Sequence, residues 1–391
     1  MDCFRKGLIN MTRSFLLAGS GVLAACGGGG TPDPTPVTHE PALFQTVTLT
    51  TDETTLLQNS IWNGPVVYKE TVLPFRNDIP LMRNIGSISK VENVTSGVVY
   101  SASDYSVVAN KLHLQGAIPM LAAAWPNTRI PGSPYAGISY KKDGSELRLE
   151  WDYFPNQLEV TYQAASTLTP LANESPLPRL TRLIRSQQRA TITFVGDSIT
   201  VGGDSSELLG VNPHQKPWAK LITGYMTKLD PNVLYRNVAT GGMDAGYGAD
   251  QSHTDLQHAT DVLVIAYGMN DQAGQRSKQW LKDQYMIMIN RVKAYNPNLE
   301  ILLVSGFRPE TKWMMSFDWW MTDYRAGMIE LARDLTAAGT TTVVADVTSE
   351  MDRILERKIF SDITSNGVNH PNDFGHIVYA QTILHRLGLL N

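Results

Sequence analysis

The chain has 391 residues, more than one ordinary domain needs, and its 42% apolar content is enough for more than one core. Its 33 basic and 37 acidic residues leave a formal net charge of −4, so nothing in the overall balance points to nucleic acid or to an anionic membrane surface as a partner. Its two cysteines, Cys3 and Cys26, both lie in the first 26 residues, so the rest of the chain supports no disulfide framework and no cysteine metal site, and none of it is long and apolar enough to span a bilayer.

The chain opens with Arg5, Lys6 and Arg13, followed by apolar or small residues from Ser14 to Ala25. That is the layout of a secretory signal segment. Leu23-Ala24-Ala25-Cys26, followed by glycines, resembles the lipobox of bacterial lipoproteins. The resemblance implies a signal peptide over 1–26, lipidation of Cys26, export, and anchoring in the cell envelope. Gly27 rather than an aspartate follows the cysteine, which points to the outer membrane. Residues 27–40, rich in Gly, Pro and Thr, are expected to form a flexible tether.

Residues 41–165 are expected to form a β-domain. FQTVTLT, PVVYKETVL, SISKVENV, GVVYSASDYSVV, KLHL, ELRLEW and QLEVTY are short β-branched and aromatic runs separated by Gly, Pro, Asn and Asp, a pattern predicting a small antiparallel sandwich. Residues 166–188, with prolines and a basic stretch, are expected to be a linker. From 189 to 391 the rhythm changes. TITFV, VLYRNVA, DVLVIAYG, EILLVSG and TTVVADV alternate with helical patterns such as WAKLITGYMTKL and FGHIVYAQTILHRL. Nearly continuous apolar strands alternating with helices predict an α/β fold with a doubly wound, parallel five-stranded sheet, whose sites form at the C-terminal strand ends.

Three places at those ends, and a fourth in a late loop before the last helix, carry chemistry. Ser198, in Gly196-Asp197-Ser198-Ile199-Thr200, sits where a nucleophile meets a helix N-terminus, although an Asp-Ser pair there is more often only a helix cap. Gly241-Gly242 follows the second strand and Asn270, in Gly268-Met269-Asn270-Asp271, follows the third; taken singly, each is more often a turn. His370, in Asn369-His370-Pro371, is a candidate general base, though a lone histidine is more often structural. Taken in order, these blocks resemble the SGNH (GDSL-like) hydrolase family over roughly residues 190–388. The resemblance implies Ser198 as nucleophile, His370 as its base, and an oxyanion hole formed by the N–H groups of Ser198 and Gly242 and the side chain of Asn270. Gly241 is the alternative donor, and Asp197 is expected to support the loop.

The family's D-x-x-H pattern fails here, because Gly367 stands three residues before His370, with Asn366 before it. The partner of the imidazole is therefore open: a backbone carbonyl, Asn366, Asp362 or Asp373. His253 and His258 miss the spacing of a helical metal pair and read as surface or loop residues, so no metal and no cofactor is expected. Trp313, Trp319 and Trp320 are either core or a wall beside the site.

The expected activity is hydrolysis of carboxylic esters through an acyl-enzyme, with no nucleic-acid partner. O-acetyl groups on polysaccharides are the first candidate substrate, because a β-domain ahead of an SGNH domain resembles some carbohydrate esterases. Lipid esters, thioesters and acyl transfer are the neighbouring chemistries. The competing reading is a non-catalytic, glycan-binding surface lipoprotein on a degenerate hydrolase fold, supported by the missing acid.

Overall fold

In the computed structural model, residues 43–170 and 177–390 are described, with Asp318, Trp319 and Trp320 described by their backbone alone. The basic start, the apolar run, Cys26 and the tether therefore lie outside the described residues, as do the side chains of Trp319 and Trp320.

Five parallel strands, β8 (Ala190–Gly196), β9 (Val233–Asn237), β10 (Val262–Ala266), β11 (Glu300–Val304) and β12 (Thr342–Ala345), form one sheet in the order β12-β11-β10-β8-β9. Every residue of β8, β11 and β12 is buried, as strands covered on both faces require. Alternate residues supply two cores. Val195, Leu263, Ile265 and Leu303 pack beneath the helices Ala245–Asp255, Lys278–Lys293 and Asp318–Ala337. Ile192, Phe194, Val264 and Leu302 face the helices Trp218–Leu229, Val347–Leu355 and Asp373–Arg386. The strand order reverses between β8 and β10, which opens a crevice at their C-terminal ends.

Ahead of this unit lie two antiparallel sheets. One has the order β1-β7-β3-β4, built from β1 (Val66–Val72), β3 (Ile85–Asn93), β4 (Val98–Val99) and β7 (Leu158–Ala164). The other has the order β2-β6-β5, from β2 (Asp78–Ile79), β5 (Tyr105–Val108) and β6 (Lys111–Leu114). Their buried side chains, among them Val67, Val72, Leu158 and Tyr162, belong to the same core as Phe194 and Ile377. The final helix, Asp373–Arg386, is buried along almost its whole length at this junction, where Gln381 donates to the carbonyls of Leu56 and Asn59 and accepts from Ile61 N–H.

Three segments differ from the sequence-based expectation. FQTVTLT makes only a bridge between Gln45 and Tyr235, and its Thr50 caps a helix, Thr51–Gln58, through a capping box with Glu53. ELRLEW is no regular strand; Leu147 and Leu149 instead pack on Trp313 and Val368. The stretch expected to be a linker contains a helix, Pro178–Arg185, that buries Leu180, Leu183 and Ile184 and whose first N–H groups are capped by the Glu300 carboxylate at 2.8 Å.

Candidate active site

Strand β8 delivers Asp197 to the N-cap of a one-turn helix, Ser198–Val201, where its carboxylate accepts from Ile199 N–H at 3.0 Å. Burial pushes this carboxyl up to about 6, against the pull of its backbone hydrogen bonds and of His370. Asp197 thus holds the turn, and Ser198 is left at its tip. The helix ends at Gly202 with φ 102°, and the chain reverses through Gly203 to Asp204, itself left-handed at φ 59°.

The loop from Ile363 to Asn372 brings in the histidine. A bridge between Thr364 and Pro371 closes its base, and the Asn366 side-chain oxygen accepts the N–H groups of Val368, Asn369 and His370. His370 Nε2 then lies 2.8 Å from Ser198 Oγ, and Nδ1 lies 2.7 Å from Asp204 Oδ2. The serine hydroxyl, the imidazole and a carboxylate stand in line, as a nucleophile, its base and an orienting acid would. Burial lowers the pKa of His370, but the charge and hydrogen bond of Asp204, with Asp197 behind, outweigh this and raise it above the ordinary value.

The three residues considered as acids are engaged elsewhere. Asn366 organises the loop backbone and reaches His370 only at its N–H. Asp362 accepts from Leu73 N–H at 2.9 Å and from Arg76 at 2.6 Å, joining the loop to β1. Asp373 accepts from Ser206 N–H at 2.9 Å, and burial pushes it up to about 7. At Gly367, where a D-x-x-H acid would stand, φ is 86°, and an added Cβ would sit 2.4 Å from Arg148 O and 2.5 Å from Tyr153 Oη. The N-terminal unit fills that space. Asp204 carried no sequence signal beyond being a polar residue shortly after the Gly-Gly that ends the nucleophile helix.

Gly203 packs against the ring, since an added Cβ would lie 3.1 Å from His370 Cε1 and 2.9 Å from Ser198 O. Across the crevice, Gly241 lies against the Ser198 side chain, and Gly242 has φ 77° with open space beside it. Asn270 Nδ2 donates to Met243 O at 3.0 Å, which fixes the amide to the glycine loop and leaves one N–H of the group for an incoming oxygen. Of the remaining expectations, Trp313 is buried and donates to Ile138 O at 2.8 Å, so it is core. His258 lies in a loop but is buried, against Thr193, Arg236 and the ring of Phe44.

Residues 194–377 match the GDSL-like lipase/acylhydrolase family model. A comparison with curated proteins gives no match. Among solved structures, similarity extends to a protein of Parabacteroides merdae assigned as a GDSL-like lipase (19% identity, 51% of this chain and 96% of that one, TM-score 0.42). It extends also to a carbohydrate esterase family 3 protein of Talaromyces cellulolyticus (18%, 50% and 94%, 0.38). A third is a two-domain esterase active on acetylated mannans (20%, 54% and 53%, 0.42), of which this chain spans about half. The match of residues 194–377, with the Ser, Gly, Asn and His blocks in order on a five-stranded parallel sheet, supports the GDSL-like lipase/acylhydrolase family for this part of the chain.

Proposed function

We propose that the chain is a serine esterase that hydrolyses carboxylic esters through an acyl-enzyme on Ser198. The observation that carries the reading is the aligned Ser198–His370–Asp204 contact, at 2.8 and 2.7 Å, at the crevice of a doubly wound sheet. Ser198 Oγ attacks the ester carbonyl carbon while His370 Nε2 takes its proton. Asp204 holds the Nδ1–H and stabilises the imidazolium. The tetrahedral oxyanion is held by the N–H groups of Ser198 and Gly242 and by Asn270 Nδ2. Collapse expels the alcohol, protonated from Nε2, and leaves the acyl group on Ser198. Water, deprotonated by His370, attacks the acyl carbon, and Ser198 Oγ leaves with the proton, releasing the carboxylic acid.

The presence of a carboxylate on Nδ1 removes the main support for a degenerate, non-catalytic fold. In the wild-type protein, a fluorophosphonate probe should label Ser198 and p-nitrophenyl acetate should be hydrolysed; Ser198→Ala should lose both. A wild-type protein inert to both sinks the reading. We also propose, on the lipobox-like Leu23-Ala24-Ala25-Cys26 alone, that the protein works at the cell envelope. Incorporation of a fatty-acid analogue that survives Cys26→Ser would refute the anchor site.

A further inference from the structure

The N-terminal unit reaches the crevice through residues 125–151, which are fastened to it. Lys142 N–H donates to Lys312 O and Met314 N–H to Tyr140 O, while Glu150 N–H donates to Asn366 O at 3.2 Å in the loop that carries His370. Tyr135 packs on the cluster of Leu147, Leu149, Trp313 and Val368, two residues from His370. The same tyrosine meets Trp151 edge-on, with ring centroids 5.5 Å apart at 83°. Its phenol is pushed up by burial and then by the charges of Asp204 and Glu150, so it stands within electrostatic reach of the triad carboxylate.

Two features of this corner are unexplained by packing. Trp151 is 46% exposed although a tyrosine edge holds it in place. Glu150 is only 8% exposed, yet its Oε1 is buried with no hydrogen-bond partner among the described residues. A buried carboxylate oxygen without a donor is costly, and a ligand hydroxyl relieves that cost once the side chains that cover the oxygen shift to admit it. An acyl chain supplies no donor and would be placed beside a charge. A sugar ring offers an apolar C–H face for the indole and hydroxyl groups for the carboxylate.

We propose that Trp151, Tyr135 and Glu150 form a subsite for a pyranose ring of a neutral glycan, positioned so that an O-acyl group on that glycan reaches Ser198. The subsite names the alcohol side of the substrate, and its link to catalysis rests on the ester-hydrolase reading above. Glu150 also selects against uronate-rich chains by like charge.

The test uses the full chain. In the Ser198→Ala protein, unacetylated manno- and xylo-oligosaccharides should bind, read by calorimetry and by quenching of tryptophan fluorescence. Trp151→Ala or Glu150→Gln should weaken that binding about tenfold or more, the loss expected for one stacking or charge-assisted contact. In the active protein, the ratio of kcat/KM for acetylated oligosaccharides to that for p-nitrophenyl acetate should fall by a similar factor. Trp151→Phe, which keeps an aromatic face, should retain part of it, and thermal melts identify any variant that fails to fold. Unaltered saccharide affinity in Trp151→Ala and Glu150→Gln overturns the subsite. So does a preference for octanoyl esters that depends on Trp151, or binding of polygalacturonate in place of the neutral chains. If no ester is cleaved but saccharide binding to Ser198→Ala persists and is lost with Trp151, the esterase reading fails and the subsite stands.

Discussion

At the scale of single residues, the partner of His370 decides how well the base works. In the proposed mechanism, Asp204, 2.7 Å from Nδ1, holds the imidazole in the tautomer that presents Nε2 to Ser198 and favours the charged form that would appear during attack. Because Asp204 raises the pKa of His370, the neutral base is lost as pH falls through a value above the usual ~6.5. The acid limb of the kcat/KM profile should lie there. Asp204→Asn should cut kcat by as much as about 10⁴-fold, since the amide can fix the wrong tautomer. It should also move the acid limb downward, because burial without the compensating charge lowers the histidine pKa. A profile whose limb stays in place would assign the acid elsewhere. Ser198, Asn270 and His370 are legible in the sequence because each sits in a short block at a strand end or before a helix. Asp204 is not, because a chain reversal through Gly202 and its own left-handed backbone aims it at His370. No spacing rule encodes that reversal.

At the scale of elements, the His370 loop shows why the acid lies on a different segment. Its hub, Asn366, ties three backbone N–H groups, and the next residue, Gly367, is pressed against Arg148 and Tyr153. Gly367→Asp would restore the D-x-x-H pattern on paper. In the folded protein it would place a Cβ at less than van der Waals distance from two groups and strain a φ of 86°. The expected result is destabilisation of about 2 kcal/mol or more, seen as a lower denaturant midpoint, with no rescue of Asp204→Asn. Recovered activity in the double variant would mean that the neighbouring segment yields easily. The regular elements of this half are the most readable part of the chain: the helix Trp218–Leu229 covers the whole of WAKLITGYMTKL, and the five strands coincide with the apolar runs. ELRLEW misled because its apolar–polar alternation in sequence serves packing of Leu147 and Leu149 on Trp313 and Val368, with Arg148 and Glu150 buried as well, in place of a ladder.

At the scale of the whole molecule, the antiparallel sheets and the α/β unit are joined by a buried ionic knot. Lys358 Nζ lies 2.6 Å from Glu70 Oε1 with both side chains fully buried, and it also donates to Thr71 O at 2.9 Å. Glu70 accepts in addition from Met82 N–H and from Tyr162 Oη, each at 2.8 Å. Composition and periodicity could not reveal this junction, since pairing Glu70 with Lys358 depends on how two remote segments stack. Replacing one partner leaves the other charge without compensation, so Lys358→Met should cost about 3–5 kcal/mol. Glu70→Gln with Lys358→Met should recover part of that loss, because the uncompensated charge is gone. The common core of Val67, Tyr162, Phe194 and Ile377 makes a second demand on the same variant. Its melting should remain a single transition, with tertiary signal and esterase activity lost together. A separate early transition of the N-terminal sheets, with activity surviving it, would show that the knot fastens two independent bodies and that the wall carrying Tyr135 and Trp151 is not built into the hydrolase core.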